Sequence, residues 1–153
     1  MKKKIEANRE FGFETKCLHS GQIPDAATGS RAVPIYQTSS YVFDDPDHAA
    51  RLFNLQTFGN VYARISNPTT SVFEERVASI ENGRAAVALS SGMAAITVAL
   101  TAICEMGDHI VASRALYGGT HTLLTVNLKK FGISATLVDP DSIESFSERS
   151  EEH

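Results

Sequence analysis

An α/β fold is what this sequence predicts: an extended N-terminal arm followed by a mainly parallel β-α-β-α-β sheet. Three observations carry the prediction. Beyond residue 60, short unbroken apolar runs alternate with longer stretches of helical periodicity, the pattern of parallel strands joined by crossover helices. The connections between these runs are short and built from turn formers, such as Ser90-Ser91-Gly92 and Gly132. Residues 1–60, in contrast, hold little periodicity and many turn formers, as in "SGQIPDAATGSRAVP".

Within residues 1–60, two short β-like pieces stand out, Ile35 to Thr38 and Tyr41 to Phe43, and neither alternates long enough to promise a sheet. A short helix is expected around His48 to Phe53, with Asp45 as its cap and Pro46 in the first position, where a missing N–H costs nothing. So long a stretch without regular structure is uncommon inside a compact domain and usually serves a task such as wrapping a partner. Residues 1–60 are therefore read as an arm, and residues 61–153 as an incomplete α/β domain.

The signals sharpen at Asn67, which suits a helix N-cap, with Pro68 in the first position. Glu74 and Glu75 fall in the early turns, where the helix dipole favours negative charge, and Phe73, Val77 and Ile80 form one apolar stripe. Asn82-Gly83 ends that helix. Ala85 to Leu89 is an unbroken apolar run that reads as a strand buried on both faces. Met93 to Cys104 then reads as a helix that is apolar nearly all round, and His109 to Ala112 as a second strand. Tyr117 to Phe131 is a helical candidate with Leu124, Leu128 and Phe131 on one face, closed by Gly132. Ser134 to Val138 is a third strand, and "DSIESFSERSEEH" a polar helical stretch. Three all-apolar parallel strands need cover on both faces, more than the intervening helices supply. The second region therefore reads as the first part of a larger α/β domain.

Composition excludes several function classes. Apolar residues at 42% and charged ones at 21% are ordinary for a soluble globular protein. A net charge of −4, from 14 basic and 18 acidic residues, leaves no broad cationic surface for nucleic acid. "MKKK" is followed by the mixed and charged "IEANREFGFET", not by the apolar core of an export signal. The longest apolar run, Met93 to Cys104, is too short to span a bilayer. Cys17 and Cys104 lack CxxC spacing and fit a reducing compartment, so the expectation is a cytoplasmic domain binding neither nucleic acid nor membrane.

Three runs could carry chemistry. In "LSSGMAA" a strand ends, small residues turn the chain and an apolar helix begins, leaving free N–H groups and the positive end of a dipole to meet an anion such as phosphate. Gly92 lets a ligand approach the backbone closely. The plainer reading of this run is a β-α turn capped by Ser90 or Ser91. In "LYGGTH", Tyr117 lies just past a strand end, where ligands of open α/β sheets gather. It could stack on a planar group, act in proton transfer, or simply pack there. In "YARISNPTT", Tyr62 and Arg64 lie two residues apart, so an extended chain delivers a hydroxyl and a guanidinium to one side, suited to one anion. A solvated Arg64 paired with a nearby carboxylate is the alternative. The histidines His19, His48, His109, His121 and His153 show no metal-ligand spacing, "DDPD" reads as a capping turn, and Lys129-Lys130 as a solvated helix end.

Together and in this order, "YARISNPTT", "SSGMAA" and "LYGGT" resemble the N-terminal half of the Cys/Met-metabolism family of pyridoxal-phosphate-dependent enzymes, and the similarity runs from about Phe13 to the end. The segment holding "DHAARLFNLQTFGN" is most similar to the O-acetylhomoserine sulfhydrylase branch. The resemblance implies the N-terminal part of a type I pyridoxal-phosphate transferase fold and a γ-replacement that makes homocysteine from O-acetylhomoserine and sulfide. Methionine γ-lyase and cystathionine γ-synthase relatives, in which "SSGMAA" also sits comfortably, and a non-catalytic assembly module are the alternatives.

The resemblance also implies roles. Tyr62 and Arg64 match a pair that reaches the cofactor phosphate of a neighbouring subunit. Ser91, Gly92 and Met93 fall at the phosphate site of the same subunit, the last two through backbone amides. Tyr117 matches a tyrosine that stacks on the pyridine ring and helps in proton transfer. The implied partners are an amino-acid substrate and sulfide, with either a homo-oligomer or a complementing C-terminal chain. The family's Schiff-base lysine stands in a Ser-x-Thr-Lys run that is absent here; Lys2, Lys3, Lys4, Lys16, Lys129 and Lys130 all have other surroundings. This chain alone is therefore expected to be inactive.

Overall fold

The computed structural model describes residues 11–151 of the 153, so Lys2, Lys3, Lys4 and His153 lie outside the described residues. The chain forms two compact units, one ending at Ala88 and the other beginning at Leu89.

Capping chemistry shapes the first unit. Helix α2, Pro46–Phe53, begins as expected, with Asp45 Oδ1 accepting the His48 N–H at 2.6 Å and Pro46 at the first position. Helix α3, Pro68–Ile80, is capped by Asn67, whose Oδ1 accepts the Thr69 N–H at 2.9 Å. At its far end Asn82, not Gly83, takes the left-handed conformation at φ 53°, while the Gly83 N–H returns to the Ala78 carbonyl at 2.8 Å. The expected stripe is shifted: Phe73 stays exposed and Ala78 is the buried residue of α3.

Helix α1, Phe13–His19, packs on α3 and has no counterpart among the elements the sequence predicts. The segment after it does not hang free. Arg76 Nε donates to the Ser20 carbonyl at 3.0 Å, and the Ser20 and Ser79 hydroxyls meet at 2.9 Å. Thr69 Oγ1 accepts the Tyr36 N–H at 2.9 Å and donates to the Pro34 carbonyl at 2.8 Å, while Asn67 Nδ2 donates to the Tyr36 carbonyl at 2.9 Å. Gly21 permits this close course, since a Cβ there would stand 2.8 Å from both Glu75 Cβ and the Val72 carbonyl oxygen. Neither β-like piece forms a ladder; the pairing near them is one antiparallel bridge between Ser40 and Tyr62.

The second unit is α/β, with a small parallel sheet. Helix α4, Gly92–Ile103, leads to strand β1, His109–Ser113. Helix α5, Gly118–Thr122, continues as a π turn over Leu123–Asn127 and a 3-10 turn over Leu128–Phe131, followed by strand β2, Ser134–Val138, and helix α6, Ile143–Glu151. Strands β1 and β2 pair in parallel from His109 with Ser134 to Ser113 with Val138. Leu123, Leu124, Leu128 and Ile133 form the buried cluster, against which Met93, Ile96 and Leu100 of α4 pack.

Two expected elements differ from the sequence reading. Tyr117 to Phe131 is not one regular helix, because the π turn adds a residue to one coil and rotates the apolar face. Leu123 thereby joins Leu124 and Leu128 inside, and Phe131 is left 62% exposed. Ala85 to Leu89 takes no regular structure and belongs to no ladder among the described residues, with Val87 and Leu89 exposed. An apolar run becomes a strand only when another strand pairs with it, and here the Ala88 N–H donates to Glu74 Oε1 at 2.7 Å. No helix among the described residues is long and apolar enough to cross a membrane.

Candidate functional site

Ser91 prepares the mouth of α4. Its backbone is extended, at φ −161° and ψ 160°, and its Oγ accepts the Ala94 N–H at 3.1 Å. Gly92 and Met93 form the first turn, where an α-helix offers no intrahelical acceptor to the N–H groups. Those two amides, with the positive end of the dipole, remain for an anion. A Cβ built on Gly92 would meet nothing within 4 Å, so the mouth is open on that side.

The Met93 side chain takes the opposite course. It packs against the buried leucine cluster, and its sulfur accepts the Thr120 hydroxyl at 3.8 Å. Thr120 follows the Gly118-Gly119 pair that opens α5, and Tyr117 is the residue just before that helix, at φ −55° and ψ 138°. The Tyr117 carbonyl accepts the His121 N–H at 3.0 Å, which anchors its backbone to the first turn, while the residue is 75% exposed. Met93 Sδ and Tyr117 Cε1 both lie within contact distance of where a Gly119 Cβ would stand, at 3.1 and 2.8 Å. Two of the three runs singled out in the sequence thus converge within the second unit.

Tyr62 and Arg64 belong to the first unit, whereas Ser91, Gly92, Met93 and Tyr117 belong to the second. Tyr62 is set by its bridge to Ser40, flanked by hydrogen bonds from Tyr41 N–H to the Val61 carbonyl at 3.3 Å and from Ala63 N–H to the Ser39 carbonyl at 2.8 Å. The extended course expected through Tyr62 and Arg64 is not found. The chain turns, and the Tyr62 carbonyl accepts the N–H groups of both Ile65 and Ser66, at 2.9 and 3.0 Å. The turn still delivers the pair together, with the Arg64 guanidinium carbon 5.6 Å from the centre of the Tyr62 ring and both residues exposed.

The remaining candidates serve the scaffold. His48 Nδ1 accepts the Asp44 N–H at 3.2 Å ahead of α2, and His109 Nε2 meets Thr136 Oγ1 at 2.9 Å across the β1–β2 pair. Lys129 and Lys130 are exposed in the 3-10 turn, and Lys16 lies in α1. Sequence reasoning passed over Gly119 and Thr120; the signal available was a glycine pair directly after an aromatic residue.

An open helix mouth with two first-turn amides fits a phosphate, and an exposed aromatic ring beside it fits a planar ring. Residues 14–153 match the family described as Cys/Met metabolism PLP-dependent enzyme. The chain belongs to this family. The family's cofactor is pyridoxal phosphate, as the resemblance implied. Relatives in the Cys/Met-metabolism family include an O-acetyl-L-homoserine sulfhydrylase of Leptospira meyeri, 56% identical over 138 residues that make up 90% of this chain and 31% of that protein. A homocysteine synthase of Schizosaccharomyces pombe is 55% identical, over 84% of this chain and 30% of that protein. The chain therefore spans about a third of the length of these relatives.

Solved structures agree on the fold. A Campylobacter jejuni protein described as O-acetylhomoserine (thiol)-lyase, holding N'-pyridoxyl-lysine-5'-monophosphate, superposes with a TM-score of 0.86 at 42% identity, over 91% of this chain and 34% of that one. A cystathionine gamma-lyase of Lactobacillus plantarum complexed with L-serine superposes with a TM-score of 0.76 at 34% identity, over 88% and 33%. The expected fold class, the N-terminal part of a type I pyridoxal-phosphate transferase fold, holds.

Proposed function

We propose that this chain is the N-terminal portion of an O-acetylhomoserine sulfhydrylase-like enzyme that makes homocysteine from O-acetylhomoserine and sulfide in the cytoplasm. In that γ-replacement the bond from Cγ to the acetate oxygen breaks, acetate leaves with the electron pair, and hydrosulfide then forms the bond from Cγ to sulfur. The observation that carries the reading is the convergence, at Gly119, of Tyr117 with the side chain of Met93, whose amide lies in the open first turn of α4. The 56% identity to the Leptospira meyeri enzyme supports the choice of substrate.

The roles follow from the chemistry of each residue. The Gly92 and Met93 amides, with Ser91 holding the turn, bind phosphate through charge-assisted hydrogen bonds. Tyr117 covers the cofactor ring, and its phenol oxygen passes a proton. Tyr62 and Arg64 lie in an exposed turn from which they are delivered to the phosphate of a neighbouring subunit in a homo-oligomer. Pyridoxal phosphate, when bound, supplies an electron sink to the substrate's α-carbon. Residues 1–60 are the arm of this arrangement, and residues 61–153 carry its cofactor-binding part. An activated amine nucleophile is required as well, and no Ser-x-Thr-Lys run stands in this sequence, so the chain alone is inactive.

The test supplies the chain with pyridoxal phosphate, O-acetylhomoserine and sulfide, first alone and then with the remaining part of the Leptospira meyeri enzyme as a second polypeptide. Homocysteine is expected from the pair and not from the single chain. Turnover by the single chain at about 1 per second or faster, an ordinary enzyme rate, would overturn the proposed inactivity. Release of α-ketobutyrate by the pair in place of sulfide uptake would move the assignment to a methionine γ-lyase or cystathionine γ-synthase relative. A stable but silent pair would make the chain an assembly module.

A further inference from the structure

Gly119 sits where two side chains of the candidate site meet. A Cβ built on it would lie 2.8 Å from Tyr117 Cε1, 3.3 Å from Tyr117 Cδ1 and 3.1 Å from Met93 Sδ. Carbon atoms do not approach to 2.8 Å without something moving, so the tyrosine ring occupies the space any larger residue would claim. The neighbouring Gly118 makes no such demand, since a Cβ there would meet nothing within 4 Å.

The wall on the other side is held in place. Met93 packs on the Leu123, Leu124 and Leu128 cluster, and its sulfur takes the Thr120 hydroxyl. Sulfur and ring edge flank the same point, an approach that sulfur–aromatic attraction favours. Among the described residues the Tyr117 hydroxyl has no hydrogen-bond partner, and the residue is 75% exposed. What the ring edge does meet is the space at Gly119, which it shares with the Met93 sulfur.

We propose that Gly119 and the Met93 thioether are the positioning pair for Tyr117, the glycine giving the room into which the ring folds and the thioether the wall behind it. Met93 then serves the site at two ends, its amide at the phosphate and its side chain at the ring. The consequence for cofactor binding rests on the reading above, in which Tyr117 covers the pyridine ring; the placement of the ring rests on the contacts alone.

Three variants of the chain test the pair, Gly119→Ala, Gly118→Ala and Met93→Ala, each compared with the parent by two measurements. The first is the set of NMR cross-peaks from the Tyr117 ring protons to Gly119 and Met93. The second is the affinity for pyridoxal phosphate set against that for inorganic phosphate. Gly118→Ala keeps the cross-peaks and both affinities. Gly119→Ala loses the cross-peaks and binds pyridoxal phosphate about threefold to tenfold more weakly, the worth of one aromatic contact, with phosphate affinity unchanged. Met93→Ala leaves the backbone amide in place, moves the Tyr117 ring resonances and weakens pyridoxal phosphate by a similar factor. It only removes atoms, and so decides the matter if Gly119→Ala does not fold. Surviving cross-peaks in Gly119→Ala, unmoved ring resonances in Met93→Ala, or an equal loss in Gly118→Ala would overturn the proposal. A parent chain that binds neither pyridoxal phosphate nor phosphate removes the phosphate cradle instead, while the cross-peaks still decide the positioning pair.

Discussion

The two units are held together by different means. In the first, segments far apart in sequence are tied by single hydrogen bonds between side chain and backbone, from Thr69, Asn67 and Arg76. Its described buried residues are Leu52, Ala78 and the polar Asn67. In the second, Leu123, Leu124, Leu128 and Ile133 close into one apolar cluster between α4 and the strand pair. Each hydrogen bond contributes about 1 kcal/mol net, and losing one partner leaves the other unsatisfied. A buried leucine contributes roughly 1.5–3 kcal/mol and touches many neighbours at once. The first unit is thus a set of separable ties, and the second a shared core.

The comparison sharpens most at Leu128, which is 0% exposed. Leu128→Ala is expected to cost about 2–5 kcal/mol through lost transfer energy and the cavity left behind, read as a lower urea midpoint with lost amide protection across β1 and β2. A loss under about 1 kcal/mol would mean that the cluster is not what holds the second unit.

Asn67→Ala is expected to act more locally. It removes both the cap of α3 and the bond to the Tyr36 carbonyl, for about 1–3 kcal/mol. Hydrogen exchange should quicken at residues 34–36 and in the first turn of α3, with the second unit unchanged. Equal quickening in β1 and β2 would break the distinction between separable ties and a shared core.

The smallest effect is one of pH. The Thr28 hydroxyl and Thr28 N–H both donate to Asp25 Oδ2 at 2.8 Å, and with some help from the Tyr36 hydroxyl they hold the Asp25 carboxyl below its ordinary value against the opposing effect of burial. A carboxyl whose folded pKa is lowered adds stability that is present above the ordinary value of about 3.9 and is lost as pH falls through the folded one. Loosening of the turn at residues 25–28 is therefore expected only below about pH 3.9. An NMR titration should place Asp25 below an ordinary carboxylate, and Thr28→Val should raise its midpoint; an unmoved midpoint would remove Thr28 as the cause.

The same contrast explains what could be read in advance. Caps at Asp45 and Asn67, and one at Ser90 or Ser91 that the structure assigns to Ser91, were legible because a cap joins residues two or three apart. Strands β1 and β2 were legible as apolar runs between turn formers. The course of residues 20–36 along α3 was not, because its bonds span more than thirty residues and leave no period, as from Tyr36 to Thr69. At the site, Gly92 and Tyr117 were visible as a helix mouth and an aromatic past a strand end. The pairing of Gly119 with Met93 was invisible, since it exists only where α4 and α5 come together.

The sequence by itself determined where α2 and α3 begin, which runs are apolar, and through its ordered motifs the family, because each depends on residues close along the chain. Tertiary structure alone decided that Ala85 to Leu89 belongs to no ladder among the described residues and that a π turn directs Leu123 inward and Phe131 outward. It alone decided, too, that the Met93 sulfur and the Tyr117 ring edge meet at Gly119. Those outcomes depend on which surface each residue meets, and that is settled only when distant segments compete for the same space.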